Sequence, residues 1–381
     1  MTNGVMYSLT QSLMDEFAHR TGIEGMAKPR RYLWTDAFAV CNYLALFRKT
    51  HDGDYLRLAS ALVDQVHHVL GRHRTDDARR GWISGLSDEA GDLHPTRGGL
   101  RIGKALPERG PHEPYDARAE WDRDGQYFHY LTKWMHALHR MACETGDEKY
   151  QRWAIELAST ASAAFTVPSR AGDGPRMVWK MSIDLKRPLV SSMGQHDPLD
   201  GLITLLELQS GSGMKTASEI NLARPINEMA SMCLELGGIT DDPLGIGGLL
   251  DCATRLAELT FEHGVAGQRL LLRIVADAEA SLHSLDDDSL FAGDAEHRLA
   301  FRELGLAIGL HGLATIHRLT QHERQFEPAI NELQRYLPLA GLIEAFWSDP
   351  ANRRNRTWSE HADINNVMLA TSLMPAGYLA I

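Results

Sequence analysis

Thr50-His51-Asp52-Gly53-Asp54-Tyr55-Leu56-Arg57-Leu58-Ala59 returns 95 positions later as Thr145-Gly146-Asp147-Glu148-Lys149-Tyr150-Gln151-Arg152-Trp153-Ala154. Both copies fit Thr-x-x-x-x-Tyr-x-Arg-x-Ala. The Gly and Asp residues make a tight turn and cap the following helix, and Tyr and Ala pack that helix back on its predecessor. A helix–turn–helix of this kind cannot bury its apolar face alone, so a repeat of it implies lateral stacking into a solenoid or a ring.

Outward from these copies, apolar residues at i, i+3, i+4 and i+7 predict helices near 5–20, 31–49, 54–72, 121–144, 147–166, 197–210, 217–236, 243–261, 264–285, 295–319, 323–347 and 360–377. Strand signals are few, the best being 177–181 and 80–83. An all-α chain of twelve helices in alternating roles suits a closed ring of six hairpins, a single domain over 1–381. Connections within hairpins are short (50–53, 145–146, 286–294), whereas 73–120 and 167–195 are long. Long loops in a compact domain usually carry function.

Every second helix opens with polar and aromatic residues. The openings are Arg31 to Asp36, Glu120 to Asp124, Gln195 to Asp200, Asp241-Asp242-Pro243, Glu296-His297 with Glu303, and Trp358 to Asp363. Capping accounts for an Asp at a helix start, and Asp242 before Pro243 fits that role. It does not account for Trp, His and Gln beside it at alternate helices. In a ring, these starts converge on one mouth: Trp34, Asp36, Trp121, Asp122, His196, Asp197, His361 and Asn365 should line one cavity, with the 73–120 loop at its rim.

Trp34-x-Asp36, the Thr50–Ala59 turn and then Gly81-Trp82 follow in an order that resembles the six-hairpin (α/α)6 carbohydrate-active enzymes. The resemblance is to the N-acylglucosamine 2-epimerase group and the unsaturated glucuronyl hydrolases, and it implies an α/α toroid that processes a sugar. The epimerase group tends toward R-x-x-W-x-x-x-R; here Arg31 and Trp34 are present and position 38 is Phe. No catalytic residue is carried over from it, because the shared motif belongs to the scaffold.

The residues themselves suggest the chemistry. Acid–base work at a sugar needs a carboxyl pair, or a carboxyl and a His. Asp122, Asp197, His196 and His361 are the catalytic candidates. As a hydrolase, Asp122 is the general acid and base, assisted by Asp197 or His196; as an epimerase or lyase, His196 and His361 carry protons on opposite ring faces. A non-catalytic sugar-binding or regulatory module is the third alternative. Trp34, Trp121 and Trp179 offer stacking walls, and Arg97 and Arg101 a bidentate clamp for a sugar carboxylate. Asp36, Gln126, Gln195 and Asn365 suit sugar hydroxyls, with Asp122, Gln126 and His129 expected on one helix face. His136, His139 and Cys143 share another face, but no fourth zinc ligand accompanies them. No metal or cofactor is expected.

Composition is that of an ordinary globule: 381 residues, 44% hydrophobic and 23% charged. A net charge of −11 argues against nucleic acid or an anionic membrane as partner. The start, Met1 to Met6, lacks the basic and apolar regions of a secretory signal peptide, and the Leu304–Leu313 stretch is too short to span a bilayer. Four cysteines without C-x-x-C spacing read as free thiols in a reducing cytoplasm. A small carbohydrate is the expected partner, and a homodimer is compatible with all of this.

Overall fold

In a computed structural model of the chain, the structure describes residues 3–169, 174–211, 220–235, 237–285, 291 and 293–381. Its helices include α1 Asn3–Thr21, α2 Leu33–Thr50, α3 Gly53–Leu70, α4 Asp88–Leu93, α5 Ala117–Asp122, α6 Phe128–Thr145 and α7 Glu148–Phe165. They continue with α8 Asp197–Ser210, α9 Ala223–Glu235, α10 Pro243–Phe261 and α11 Gln268–Ser284. The C-terminal part holds Ala300–His311, Leu313–Thr320, Glu327–Gln334, Leu337–Ser348, Arg356–Glu360, Ala362–Leu373 and Ala376–Leu379. The expected helix start at 217 and part of the 286–294 connection lie outside the described residues.

The repeat behaves as its residues dictate. Thr50 and Thr145 each donate their hydroxyl to the carbonyl four residues back, at 2.8 and 2.6 Å. Each also accepts the backbone N–H of the Asp two residues on, at 3.0 and 3.2 Å. The residue between them is left-handed in both copies, His51 at φ 59° and Gly146 at φ 67°. Tyr55 and Tyr150 are buried, as are Ala59 and Ala154.

The chain forms two compact units. The first comprises Met1–Arg20, Cys41–Asp52 and Gly237–Ile381. Within it α10 packs on Ala300–His311 at a very close approach: a Cβ on Gly247 would stand 2.1 Å from the carbonyl oxygen of Gly305. In the Gly245-Ile246-Gly247-Gly248 run it is Gly247 that makes this helix contact, whereas Gly248 faces open space. Asn42 donates to the carbonyl of Val367 at 3.0 Å and accepts from the Thr371 hydroxyl at 3.0 Å. Tyr43 donates to the carbonyl of Met14 at 3.0 Å. Helices 325 positions apart in sequence are therefore joined through fully buried polar groups.

The second unit comprises Thr21–Val40 and Gly53–Leu236. Besides its helices it holds β1 Gln126–Tyr127, β2 Thr166–Pro168, β3 Pro175–Met177, β4 Lys180–Met181 and β5 Pro188–Val190. β1, β4 and β5 make an antiparallel three-stranded sheet, with Tyr127 opposite Lys180 and Lys180 opposite Val190. β2 pairs with β3. The 177–181 strand signal thus falls on β3 and β4, whereas 80–83 makes only an isolated bridge from Trp82 to Arg72.

The helices expected over 295–319, 323–347 and 360–377 are each broken into shorter ones, and one further break bears on the site. A single helix over 121–144 was expected; the structure ends α5 at Asp122 and starts α6 at Phe128. Gly125, at φ 150°, breaks the run where a Cβ would stand 2.7 Å from the Met181 carbonyl oxygen. Residues 126–127 then pair with β4. Asp122, Gln126 and His129 consequently lie on a helix end, a strand and a helix start, and share no helix face.

Candidate active site in the second unit

The second unit contains Trp34, Asp36, Arg97, Arg101, Trp121, Asp122, Gln126, Trp179, Gln195, His196 and Asp197; His361 and Asn365 belong to the first.

Several of these residues build the scaffold. The buried Asp36 accepts the Tyr32 N–H at 2.9 Å and lies 3.5 Å from Arg31, a reach back to the N-terminus of α2. Trp34 is buried against Phe38, ring centroids 4.4 Å apart. Gln126 is fully buried; it accepts the Leu100 N–H at 2.8 Å and donates to the carbonyls of Gly98 and Ile183 at 3.0 and 2.7 Å. That staples the 98–100 turn to the sheet.

The arginines expected as a carboxylate clamp have partners of their own. Arg101 donates to Asp124 at 2.5 Å and to the carbonyls of Arg72 and Val69. Asp124, fully buried, also accepts from Arg74 and from the N–H groups of Gly103 and Gly125. Arg97 lies on Glu156 of α7, 3.2 Å away, beside His94.

What remains open to a ligand is an aromatic wall. Trp179, held by its backbone N–H on the Ser192 carbonyl just ahead of β4, has three aromatic groups around it. Its ring centroid is 5.1 Å from Tyr127, 6.2 Å from Trp121 and 6.3 Å from His129, which stacks on it at 11°. Tyr130 packs at 4.9 Å on His129, and its hydroxyl lies 2.6 Å from that of Tyr32. Burial raises the pKa of Tyr32, Tyr127 and Tyr130 above the ordinary phenol value, so all three stay protonated.

Two lysines frame this wall. Lys180, fully buried, donates to the carbonyls of Glu120 and Arg123 at 2.7 and 2.8 Å and pairs with Glu120 at 2.9 Å. It thereby fixes the end of α5 that carries Trp121 and Asp122. Lys104 lies 4.8 Å over the Trp121 ring and 5.9 Å from that of Tyr32, and its ammonium has no acceptor among the described residues. Burial lowers its pKa, opposed by the nearby charge of Asp122. Asp122 itself is exposed, and its carbonyl accepts the Leu106 N–H at 3.3 Å.

His129, in the first turn of α6, meets Asp197 in the first turn of α8. His129 Nδ1 is 3.4 Å from Asp197 Oδ1, in ion-pair range. The other buried oxygen, Asp197 Oδ2, has no hydrogen-bond partner among the described residues. Asp197 does not cap its helix: His196 holds that position, Pro198 follows, and Gly194 packs against the carboxylate. A buried carboxylate oxygen without a donor is costly unless a ligand supplies one. His196 is partly buried and Gln195 is exposed.

In the first unit, His361 is exposed and lies edge-on to Phe301 at 5.6 Å. Asn365 is buried and donates to the Trp358 carbonyl at 3.2 Å. Among the described residues no group of three or more His, Cys, Asp or Glu is placed to hold a metal ion, and no helix is long and apolar enough to cross a membrane.

The residues that sequence reading left without a part here are Lys104, Tyr127, Tyr130 and Lys180, with His129 given only a lining role. The signal for three of them was local: Tyr127-Phe128-His129-Tyr130 is an unbroken run of ring side chains just after the Gly125 break.

The fold places the chain in a recognisable class. It has the (α/α)6 toroid fold, an all-α assembly of helical hairpins shared with sugar-processing enzymes of known structure. The alpha-1,6-mannanase of Salegentibacter sp. HEL1_6, solved as an inactive variant with alpha-1,6-mannotriose, matches at a TM-score of 0.56 and 10% identity. That match covers 97% of this chain and 99% of the mannanase. An alpha-mannanase of Bacteroides thetaiotaomicron matches at 0.56 and 8% identity, over 98% and 96% of the two chains. Cellobiose 2-epimerase from Spirochaeta thermophila matches at 0.51 and 13% identity, over 96% of both. No protein-family model and no curated protein sequence matches the chain. At these identities the likeness is one of fold.

Proposed function

We propose that the chain is a carbohydrate-processing enzyme, a glycoside hydrolase, acting at the aromatic wall of the second unit. The observation that carries this reading is the open oxygen of the buried Asp197, beside the His129 ring that stacks on Trp179. Sugar C–H faces stack on Trp179 and Trp121, and the polar pair meets a hydroxyl or the glycosidic oxygen at the edge of that stack. Asp197 and His129 hold and move the proton; Asp122, next to Trp121 on the same wall, supplies the second carboxyl that glycoside hydrolysis needs. Lys104 suits the carboxylate of an acidic sugar, a part that Arg97 and Arg101, already engaged, do not take. His361 and Asn365 have no role in this reading.

Several broader points belong to the same proposal. The matched structures cover nearly the whole chain, which supports one barrel domain over 1–381. The four cysteines are free, which supports a cytoplasmic location. The net charge of −11 supports a partner other than nucleic acid. A homodimer is part of the same proposal.

A sugar epimerase is the second reading, favoured by the fact that Asp197 contacts a histidine and not another carboxyl. The test is a panel of manno-oligosaccharides, uronate glycosides and cellobiose, assayed for new reducing ends and, in D2O, for deuterium at carbon 2. Hydrolysis predicts new reducing ends, lost at least about 100-fold in Asp197→Asn with binding retained. Deuterium without new reducing ends gives the epimerase. Sugar binding without turnover of any panel member gives the non-catalytic module.

A further inference from the structure

His136, His139 and Cys143 share a face of α6 but face different partners. His136 Nδ1 lies 2.7 Å from Glu207 Oε1, both side chains fully buried. His139 Nδ1 lies 2.8 Å from Gln151 Oε1 on α7, and its Nε2 lies 3.5 Å from Cys143 Sγ. The Gln151 amide nitrogen donates to the Leu208 carbonyl at 3.1 Å. A carbonyl only accepts, so this bond sets which way the amide points. Its Oε1 therefore faces His139 and requires a proton on Nδ1, leaving Nε2 to exchange a proton with the thiol. Gly211, at the end of α8, closes over the ring: a Cβ there would stand 2.5 Å from His139 Cε1. Cys143 is exposed, whereas Cys41, Cys233 and Cys252 are buried.

We propose that Cys143, His139 and Gln151 form a nucleophilic thiol site that hydroperoxides oxidise. The Cys143 thiolate attacks one peroxide oxygen and an S–O bond forms as the O–O bond breaks. The leaving oxygen takes the proton from His139 Nε2. A sulfenic acid, a neutral imidazole and water (or an alcohol, from an organic hydroperoxide) result; the sulfur is oxidised and the peroxide reduced.

The surroundings favour the charged pair. Burial alone would lower the His139 pKa, but the Cys143 hydrogen bond and the Glu207 charge from α8 outweigh it, and His139 is raised to about 9. Burial alone would raise the Cys143 thiol; the His139 hydrogen bond, with the charges of His139 and of Arg140 on the same helix, brings it below its ordinary value despite Glu207. Partly exposed cysteines beside a cation are the reactive ones. The site is also separate from the aromatic wall: Cys143 lies ~21 Å along α6 from His129, at about 1.5 Å per residue.

The test uses the full chain under alkylation by iodoacetamide from pH 5.5 to 9, with each cysteine followed by mass spectrometry. The buried cysteines serve as controls that react only on unfolding. Cys143 is expected to react at pH 6.5 about 10-fold faster than glutathione, an ordinary thiol being about 1% thiolate there. Hydrogen peroxide should then give a dimedone adduct at Cys143 alone. His139→Gln should return the pH profile to that of glutathione, and Cys143→Ser should abolish the adduct and leave sugar turnover unchanged. A parent profile that follows glutathione throughout overturns the proposal without any variant, as does an unchanged rate in a folded His139→Gln protein.

Discussion

At the scale of single residues, the account rests on two histidines in opposite circumstances. His129 stands at the aromatic wall, 3.4 Å from Asp197. His129→Gln should lower turnover about 100-fold or more, whereas the loss of its contact to Asp197 and of its ring stacking should cost only about 1–2 kcal/mol of stability. Calorimetry beside the kinetic assay checks this, and equal loss of stability and activity would reduce His129 to a packing residue. His67 is fully buried, accepts the Trp134 indole N–H on Nε2 at 3.2 Å, and is held down to about pKa 3 by burial, with His68 adding to the effect. Its folded pKa lies below the ordinary 6.5, so the neutral ring favours folding. That contribution is complete above pH 6.5 and fades as the pH falls toward 3, because the unfolded chain takes up the proton first, at about 1.4 kcal/mol per unit. Urea unfolding at pH 7 and pH 4.5 should show this loss, and His67→Gln should flatten it. A pH dependence that survives the replacement intact would assign it to other groups.

At the scale of elements, local signals and distant partners account for what the sequence disclosed. Helix periods are local, and α8 and α10 run over the expected 197–210 and 243–261. The break at Gly125 was harder to see because the strand that replaces the helix turn pairs with residues more than 50 positions later. The arginines of the 73–120 loop looked available because the carboxylates that hold them are distant in sequence, Glu156 for Arg97 and Asp124 for Arg101. The turn repeat offers a clean test. His51 occupies a left-handed position where the second copy has Gly146, and it is exposed. Its strain of about 1–2 kcal/mol exceeds the flexibility that glycine adds to the unfolded chain, about 0.5–1 kcal/mol. His51→Gly should therefore raise stability by up to about 1 kcal/mol in urea unfolding, and a clear loss would show that the histidine side chain matters there. The reverse holds at Gly247, where Ala should cost about 1–3 kcal/mol through the clash with Gly305.

At the scale of the whole molecule, the (α/α)6 class was legible from alternation and loop lengths, because each helical hairpin needs a neighbour to cover its apolar face. Within the first unit, the buried amide of Asn42 joins distant helices through its bonds to Val367 and Thr371. Asn42→Ala removes two buried hydrogen bonds, although the Thr371 hydroxyl keeps its bond to the Val367 carbonyl, and should cost about 1–2 kcal/mol, read as a lower unfolding midpoint in urea; an unchanged midpoint would show that this junction contributes little. The proposed site was less legible than the fold class, since His129 and Asp197 come from separate hairpins and meet only when α6 and α8 pack. The measurement that tests the central claim most directly is a crystal structure of Asp197→Asn with the oligosaccharide that the parent turns over fastest. The account predicts a sugar ring stacked on Trp179, with a hydroxyl or the glycosidic oxygen within hydrogen-bond distance of residue 197 and of His129. A sugar bound elsewhere, with Trp179 and His129 bare, would contradict it.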